Sequence, residues 1–237
     1  MVIQNGRSGA CHSGIADLYS VRMEETVQFI KTDFHIHTSF SRKVTASPEE
    51  MYQEAKKKGL DRIAVTDHNT IKGAQMLHEM DPEFVIIGEE ITWAAQGEVI
   101  GLFLEEAVPE GRSMDYTLDA LLEQNAFIFI PHPFAPFYFY CPPHKILTIS
   151  DRIDAIEVRN GRNLRLLNSL ASCFSLVTGM LGICGSDAHA PSDVGKAGMD
   201  IPEFHDAASL RESLITARPF GSGLSAIDSL KLLKRVI

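Results

Sequence analysis

His35 and His37 carry the clearest chemical potential in this chain, in the stretch TDFHIHTSFS over residues 32–41. Residues 27–30, VQFI, read as the start of a strand that runs into it. In a strand, positions i and i+2 share a face, with Cβ atoms roughly 7 Å apart. Two imidazoles so placed can close onto one metal ion. A lone H-x-H is ambiguous, because histidines at the edge of a core are common. Its meaning depends on what stands at the ends of the other strands.

Those strands can be read from short apolar runs alternating with helical periodicity. Residues 62–66 form a continuous apolar strand ending at Asp67 and His68, and 84–87 a second ending at Gly88, Glu89 and Glu90. Residues 97–104 read as a strand paired back on its predecessor. Residues 126–130 end at Pro131, His132 and Pro133, 153–158 at Arg159 and Asn160, and 182–185 at Ser186, Asp187, Ala188 and His189. Between them lie helices. Ser47, Pro48, Glu49 and Glu50 make a capping box with proline at the first helical position, and Gly59 suits the helix end. Further helices are expected over 71–80, 113–124, 163–177, 206–216 and 226–236, with a short strand over 198–201. Residues 1–25, which include His12, form an N-terminal extension without periodicity, and 26–237 a single domain.

Alternating strands and helices of this length indicate β/α units and a parallel sheet. The polar chemistry falls at the carboxyl ends of the strands: His35, His37, Asp67, His68, Glu90, His132, Asp187 and His189. A β/α barrel gathers such ends on one face, whereas an open doubly wound sheet spreads them along an edge. Convergence of five strand ends therefore predicts a barrel with one site. Asp187 and His189 repeat the i, i+2 spacing. Asp67 and His68 are adjacent and would point oppositely, so His68 is expected as the ligand and Asp67 as its hydrogen-bonding support in the catalytic group. Imidazole plus carboxylate without thiolate suits Mn, Zn or Fe. Seven or more ligands exceed the need of one tetrahedral ion, which implies two or three divalent metals, with Glu90 able to bridge a pair.

Composition narrows the setting. The chain has 237 residues, 45% hydrophobic and 22% charged, with a formal net charge of -9, the proportions of a globular protein. No basic run exceeds Lys56 to Lys58, which argues against binding duplex nucleic acid by counterion release. Cys11, Cys141, Cys173 and Cys184 form no C-x-x-C pair, a usage that fits free thiols in a reducing, cytoplasmic compartment. The most apolar stretch, 174–184, is too short and interrupted to span a bilayer.

The succession D-F-H-I-H-T, T-D-H-N, G-E-E, P-H-P and G-S-D-A-H, over residues 31 to 200, resembles the PHP (polymerase and histidinol phosphatase) superfamily. The resemblance implies an α/β fold, a distorted (β/α)7 TIM-like barrel. It also implies two or three divalent metals and phosphoester hydrolysis, as a phosphatase or as the exonuclease domain of a polymerase. By the same resemblance His35, His37, Glu90 and Asp187 surround one metal, Glu90 and His132 hold a second, and His68 with His189 a third. Two departures stand out. Arg42 occupies the place where the family often has a metal-binding Asp, and Glu98 the place of a histidine. Glu98 is expected to ligate instead.

About two divalent ions set against Glu90, Asp187 and Glu98 leave a positive site, which favours an anion. Arg42, Lys43, Arg159 and Arg162 are candidate phosphate contacts. The expected reaction is hydrolysis of a small phosphorylated metabolite or nucleotide by a metal-activated water, with Arg42 stabilising the phosphoryl oxygens and His189 serving as proton donor. Two alternatives are a hydrolase of carbon–nitrogen or ester bonds and a non-catalytic metal-binding module. The positive site argues against the first and the near-complete ligand set against the second. The aromatic loop over 134–143 could wall the substrate pocket or stack a nucleobase, but packing on the barrel or a subunit contact is the favoured reading.

Overall fold

The computed structural model describes residues 27–94, 97–135 and 141–224. The N-terminal extension with His12 and Cys11, the helix expected over 226–236 and residues 136–140 of the aromatic loop lie outside the described residues.

Along the chain the elements are β1 (Phe29–Ile36), α1 (Pro48–Lys57), β2 (Arg62–Val65), α2 (Lys72–Met80), β3 (Val85–Trp93), β4 (Gly97–Leu102), α3 (Met114–Glu123) and β5 (Phe127–Ile130). They continue with α4 (Pro143–Thr148), β6 (Ala155–Asn160), α5 (Arg165–Thr178), β7 (Leu181–Gly185), β8 (Ala197–Pro202), α6 (Ala207–Leu214) and β9 (Arg218–Gly221). The sheet order is β7-β6-β5-β4-β3-β2-β1-β8-β9. Pairs β1–β2, β2–β3, β5–β6 and β6–β7 are parallel. β4 lies antiparallel between β3 and β5, without an intervening helix on the β3 side. A bridge between Ile36 and Ala188 brings β1 back to the segment after β7 and nearly closes the sheet into a barrel. This is a distorted barrel, as expected from the order of strands and helices. The β8–β9 ribbon extends antiparallel from the outer edge of β1.

The local reasons are visible in the sequence. All four residues of β2 and of β5 are buried, as continuous apolar strands covered on both faces must be. α1 begins with the reciprocal Ser47–Glu50 capping box and a proline in its first turn. Gly59 follows it at φ 70°, a conformation that favours a residue without Cβ. In β1, alternation sends Phe34 and Ile36 into the apolar layers and leaves Asp33, His35 and His37 to the polar interior, all five fully buried. Burying each large apolar side chain of this kind contributes about 1.5–3 kcal/mol. Gly185 has a different reason to be glycine: a Cβ there would lie 2.7 Å from the His35 backbone nitrogen. The close approach of β7 to β1 requires its absence.

Two elements had no clear sequence signal. α4 is six residues behind two prolines, too short for a period, and β9 is a four-residue edge strand containing Pro219; prolines are confined to such edges. Trp93 and Val99 are core residues. Phe134 sets its ring edge-on to Phe174 at 5.8 Å, so this part of the aromatic loop packs on α5. Among the described residues, no helix is long and apolar enough to cross a membrane.

Candidate metal centre

Strand ends β1, β2, β3, β5 and β7, together with the start of β4, bring eight side chains into one cluster. His35 and His37 are fully buried, and Glu90, Glu98, His132 and Asp187 nearly so. His68 and His189 keep about a quarter of their side chains exposed, at 28% and 26%, and so form its open side. Glu90 is the centre. Its Oε1 lies 3.0 Å from His132 Nε2, while Oε2 lies 3.1 Å from His68 Nδ1, 3.3 Å from His37 Nε2 and 3.5 Å from His35 Nε2. Asp187 Oδ1 lies 3.3 Å from His189 Nδ1 and 3.4 Å from His37 Nε2. Glu98 reaches the cluster from the hairpin, 3.6 Å from His68 and 3.7 Å from His132.

Contacts behind the ligating faces fix the imidazoles. Ser41 Oγ donates its single hydrogen to Asp67 Oδ1 at 2.6 Å, so it can only accept from His37 Nδ1 at 3.2 Å and from the His68 backbone N–H at 3.0 Å. Asp67 also accepts from the Thr38 backbone N–H and hydroxyl, at 2.6 and 2.7 Å. It therefore points away from His68 and clamps the loop after β1. His35 Nδ1 donates to Glu157 at 3.1 Å. With both Nδ1 atoms protonated, the Nε2 atoms of His35 and His37 face each other as lone pairs at 3.1 Å. Two facing lone pairs repel unless a cation or proton lies between them. Glu90 Oε2, buried beside them, has no hydrogen-bond partner. The residues present thus fit divalent cations.

Electrostatics agree with that fit. Burial would push the Glu90 carboxyl up, but the imidazoles of His68, His35 and His132 outweigh it and hold it well below the usual range. Asp187 is likewise held low against burial, chiefly by His35 and His37. In return, Glu157, Glu90 and Asp187 raise His35 well above its usual value although burial opposes them, and His132 is raised against burial to about 9 by Glu90 and Glu98. The surplus of negative charge draws protons onto the imidazoles, a demand that a bound cation would also satisfy. Glu98 is pushed up to about 8, first by burial and then by Glu90. Burial, reinforced by His37 and Arg162, lowers His189 to about 3. A neutral His189 suits a ligand better than the proton donor expected from the sequence.

Among the described residues, four combinations bring at least three donor atoms within 4.8 Å of one another: His35, His37 and Asp187; His35, Glu90 and His132; His37, His68 and His189; and His68, Glu90 and Glu98. The structure separates the basic candidates. Arg162 approaches the cluster, with Nη1 3.7 Å from Asp187 Oδ1, buried and without a hydrogen-bond partner. Arg159 is engaged elsewhere: its Nη1 donates to the carbonyls of Gly221 and Pro219 on β9, at 2.9 and 3.4 Å. Arg42 and Lys43 are exposed on the loop after β1.

Glu157 is the residue that sequence reasoning passed over. It lies in β6 one strand position before the expected end, in a run over 153–158 that carries two acids, Asp154 and Glu157, with nothing in it to single out the second. Backbone strain also concentrates here. His132 and Asp187 have φ of 31° and 53°, and Asn69, next to His68, has 56°, conformations that non-glycine residues hold only where the surroundings enforce them.

With this geometry in view, comparison with known proteins is informative. The sequence profile of the PHP domain matches residues 33–138. An uncharacterised protein of Methanocaldococcus jannaschii is 38% identical over 120 residues, 45% of this chain and 70% of that protein. A protein of Caldicellulosiruptor bescii named "Probable phosphatase" is 26% identical over 201 residues, 71% of this chain and 83% of its own length. Among solved structures, a two-domain protein from Bacteroides vulgatus "containing predicted PHP-like metal-dependent phosphoesterase" superposes with a TM-score of 0.68 at 23% identity. The match covers 82% of this chain and 65% of that one, so the chain spans about two thirds of that relative. The chain belongs to the PHP family.

Proposed function

We propose that this protein is a metal-dependent phosphoesterase that hydrolyses a small phosphorylated metabolite or nucleotide. One observation carries the reading: Glu90 Oε2, buried and without a hydrogen-bond partner, faces nitrogens of His35, His37 and His68 within 3.5 Å. A carboxylate so placed suits a bridge between cations. The "Probable phosphatase" relative and the phosphoesterase description of the Bacteroides structure support the reaction class.

His35, His37, Asp187 and Glu90 would hold one ion, Glu90, His132 and Glu98 a second, and His68 with His189 a third. When bound, Mn, Zn or Fe ions of this kind acidify water and neutralise phosphoryl charge. The chain supplies the rest. Arg162 presents a buried N–H beside Asp187 to a phosphoryl oxygen, a charge-assisted hydrogen bond. Arg42 and Lys43 add positive charge at the exposed rim, and Asp67 holds the loop that carries them. His189 keeps its lone pair for ligation, which leaves the leaving oxygen to take its proton from a water held at the site. The net charge of -9 supports a small substrate over duplex nucleic acid, and the free thiols at Cys141, Cys173 and Cys184 support a cytoplasmic setting.

Elemental analysis of the purified protein, combined with a panel of phosphomonoesters, phosphodiesters, amides and lactones, tests the proposal. The expected result is more than one transition metal per chain and turnover of phosphate esters. Turnover of amides or lactones alone, or no turnover after Mn or Zn is supplied, overturns it.

A further inference from the structure

A buried carboxylate outside the set of candidate ligands ties three strand ends together. Glu157 is 1% exposed. Its Oε1 accepts from His35 Nδ1 at 3.1 Å. Its Oε2 accepts from the backbone N–H of His132 at 2.8 Å and from Asn160 Nδ2 at 2.9 Å. The same Asn160 amide lies 3.3 Å from Asp187 Oδ2. Residues 157 and 160 are three apart, and in a regular strand they would face opposite sides. They meet because the β6–β7 register slips between Glu157 and Arg159. Such a bulge inserts one residue and re-aims the side chains that follow it. Asn160 is in turn fixed: its backbone N–H donates to Asn168 Oδ1 at 3.1 Å, and Asn168 Nδ2 donates to its carbonyl at 2.9 Å.

We propose that Glu157 is a positioning residue for the metal centre, acting with Asn160. Its carboxylate dictates which nitrogen of His35 is free to ligate, fixes the backbone that carries His132, and through Asn160 orients Asp187. The inference rests on the metal-centre reading above and adds a residue that touches none of the reacting atoms. A carboxylate behind a ligating imidazole raises its basicity and locks its ring, and loss of such a partner costs about 10- to 100-fold in metal affinity.

The chemistry of the three contacts makes the role specific. His35 Nδ1, the His132 N–H and the Asn160 amide are all donors, so an acceptor-only group is needed. Glutamine at 157 would offer one oxygen and turn an NH2 toward a donor. It keeps the volume and the apolar contacts while breaking the pattern. The two-ion part of the site, built on His35, His132 and Asp187, depends on this hub. His37 and His68 depend on Ser41 and Asp67 instead.

The test compares wild type, Glu157→Gln, Glu157→Asp and Asn160→Ser. Zinc titration by calorimetry on metal-stripped protein gives affinity, and histidine NMR on 15N-labelled protein, with and without zinc, gives the His35 Nδ1–H signal. In wild type that proton is expected downfield and protected from exchange in both states. In Glu157→Gln it moves upfield and exchanges, zinc affinity falls about 10- to 100-fold, and Glu157→Asp restores part of both. Asn160→Ser gives a smaller loss of affinity with the His35 signal retained. An unchanged His35 signal together with unchanged zinc affinity in Glu157→Gln overturns the proposal. If Glu157→Gln does not fold, Glu157→Asp decides: affinity and signal both equal to wild type overturn the proposal. A wild type that binds no zinc yet shows the protected His35 proton, lost on substitution, counts against the metal reading while the positioning by Glu157 stands.

Discussion

His35 and His37 meet at their Nε2 atoms, 3.1 Å apart, with Glu157 and Ser41 holding their other nitrogens from behind. The pair therefore calls for something positive between the rings, a metal ion or a shared proton. That arrangement, and the groups around it, have measurable consequences.

Glu90 is the side chain that all the inner imidazoles face. If Glu90 bridges ions as proposed, Glu90→Gln lowers the metal content measured on the purified protein and drops phosphoester turnover by at least about 100-fold, the upper end of the loss expected for an outlying partner. Retention of full metal content and turnover would overturn a bridging role for Glu90.

Substitutions behind His37 separate support from ligation. Asp67→Ala removes three hydrogen bonds to a buried carboxylate, each worth about 1.5–3 kcal/mol when charge-assisted. Denaturant unfolding should accordingly register a loss of at least about 3 kcal/mol. Ser41→Ala leaves His37 Nδ1 without its acceptor and is expected to weaken metal binding about tenfold with a smaller stability change. Equal effects of the two on stability would argue against this division.

Arg162 should bind substrate rather than metal. Arg162→Gln is expected to raise KM for a phosphate ester about tenfold, equivalent to about 1.4 kcal/mol, with melting temperature and metal content unchanged. Arg162→Lys should not restore it, because a point charge on a flexible stem does not reproduce a fixed guanidinium N–H. Arg159→Gln, by contrast, removes bonds to β9 and should lower stability without a specific change in KM.

Glu89 points away from the cluster and accepts from the Val108 N–H at 2.7 Å. Burial, and then the charge of Glu110, raise it from 4.5 to about 7. The unfolded chain gives up this proton near 4.5 and the folded chain near 7, so the folded form binds more protons between those values. Its contribution to stability is present below about 4.5 and is lost as pH rises to about 7. A loss of about 3 kcal/mol follows at most, because each tenfold difference in proton affinity between the two forms is worth about 1.36 kcal/mol. Urea unfolding between pH 5 and pH 8 should show this slope in wild type and a flatter one in Glu89→Gln. Parallel slopes would remove the assignment.

Much of the site was legible because parallel β/α order puts strand ends together whatever the details of the turns. His35, His68, Glu90 and His132 follow from that rule alone. Asp187 and His189 were also found, but for an incomplete reason. β7 stops at Gly185, and the pair is brought in by a turn with Asp187 at positive φ rather than by strand alternation. Glu157 was not legible because its partners His35, His132 and Asn160 are assembled only by the folded sheet, and the contrast between Arg159 and Arg162 was not because both lie beyond the slipped register in β6. A bulge inserts one residue without a marker in the sequence, and every side chain beyond it changes face. The tautomers of His35 and His37 were beyond reach for a related reason. They depend on partners 122 and 4 residues away in the chain, and only the folded geometry brings those together.

The junction between β1 and the segment after β7 is thin. It rests on the Ile36–Ala188 bridge, with Asp33 stitching across it to the backbone N–H groups of Ser186 and Gly195, each at 2.8 Å. The candidate ligands straddle that junction, His35 and His37 on one side and Asp187 and His189 on the other. An ion gripped by both sides would act as the clasp of the barrel, and strand closure and metal loading would become one equilibrium. Stability would then grow with the logarithm of free metal concentration, and metal supply would govern how long the folded chain persists as well as how fast it turns over substrate.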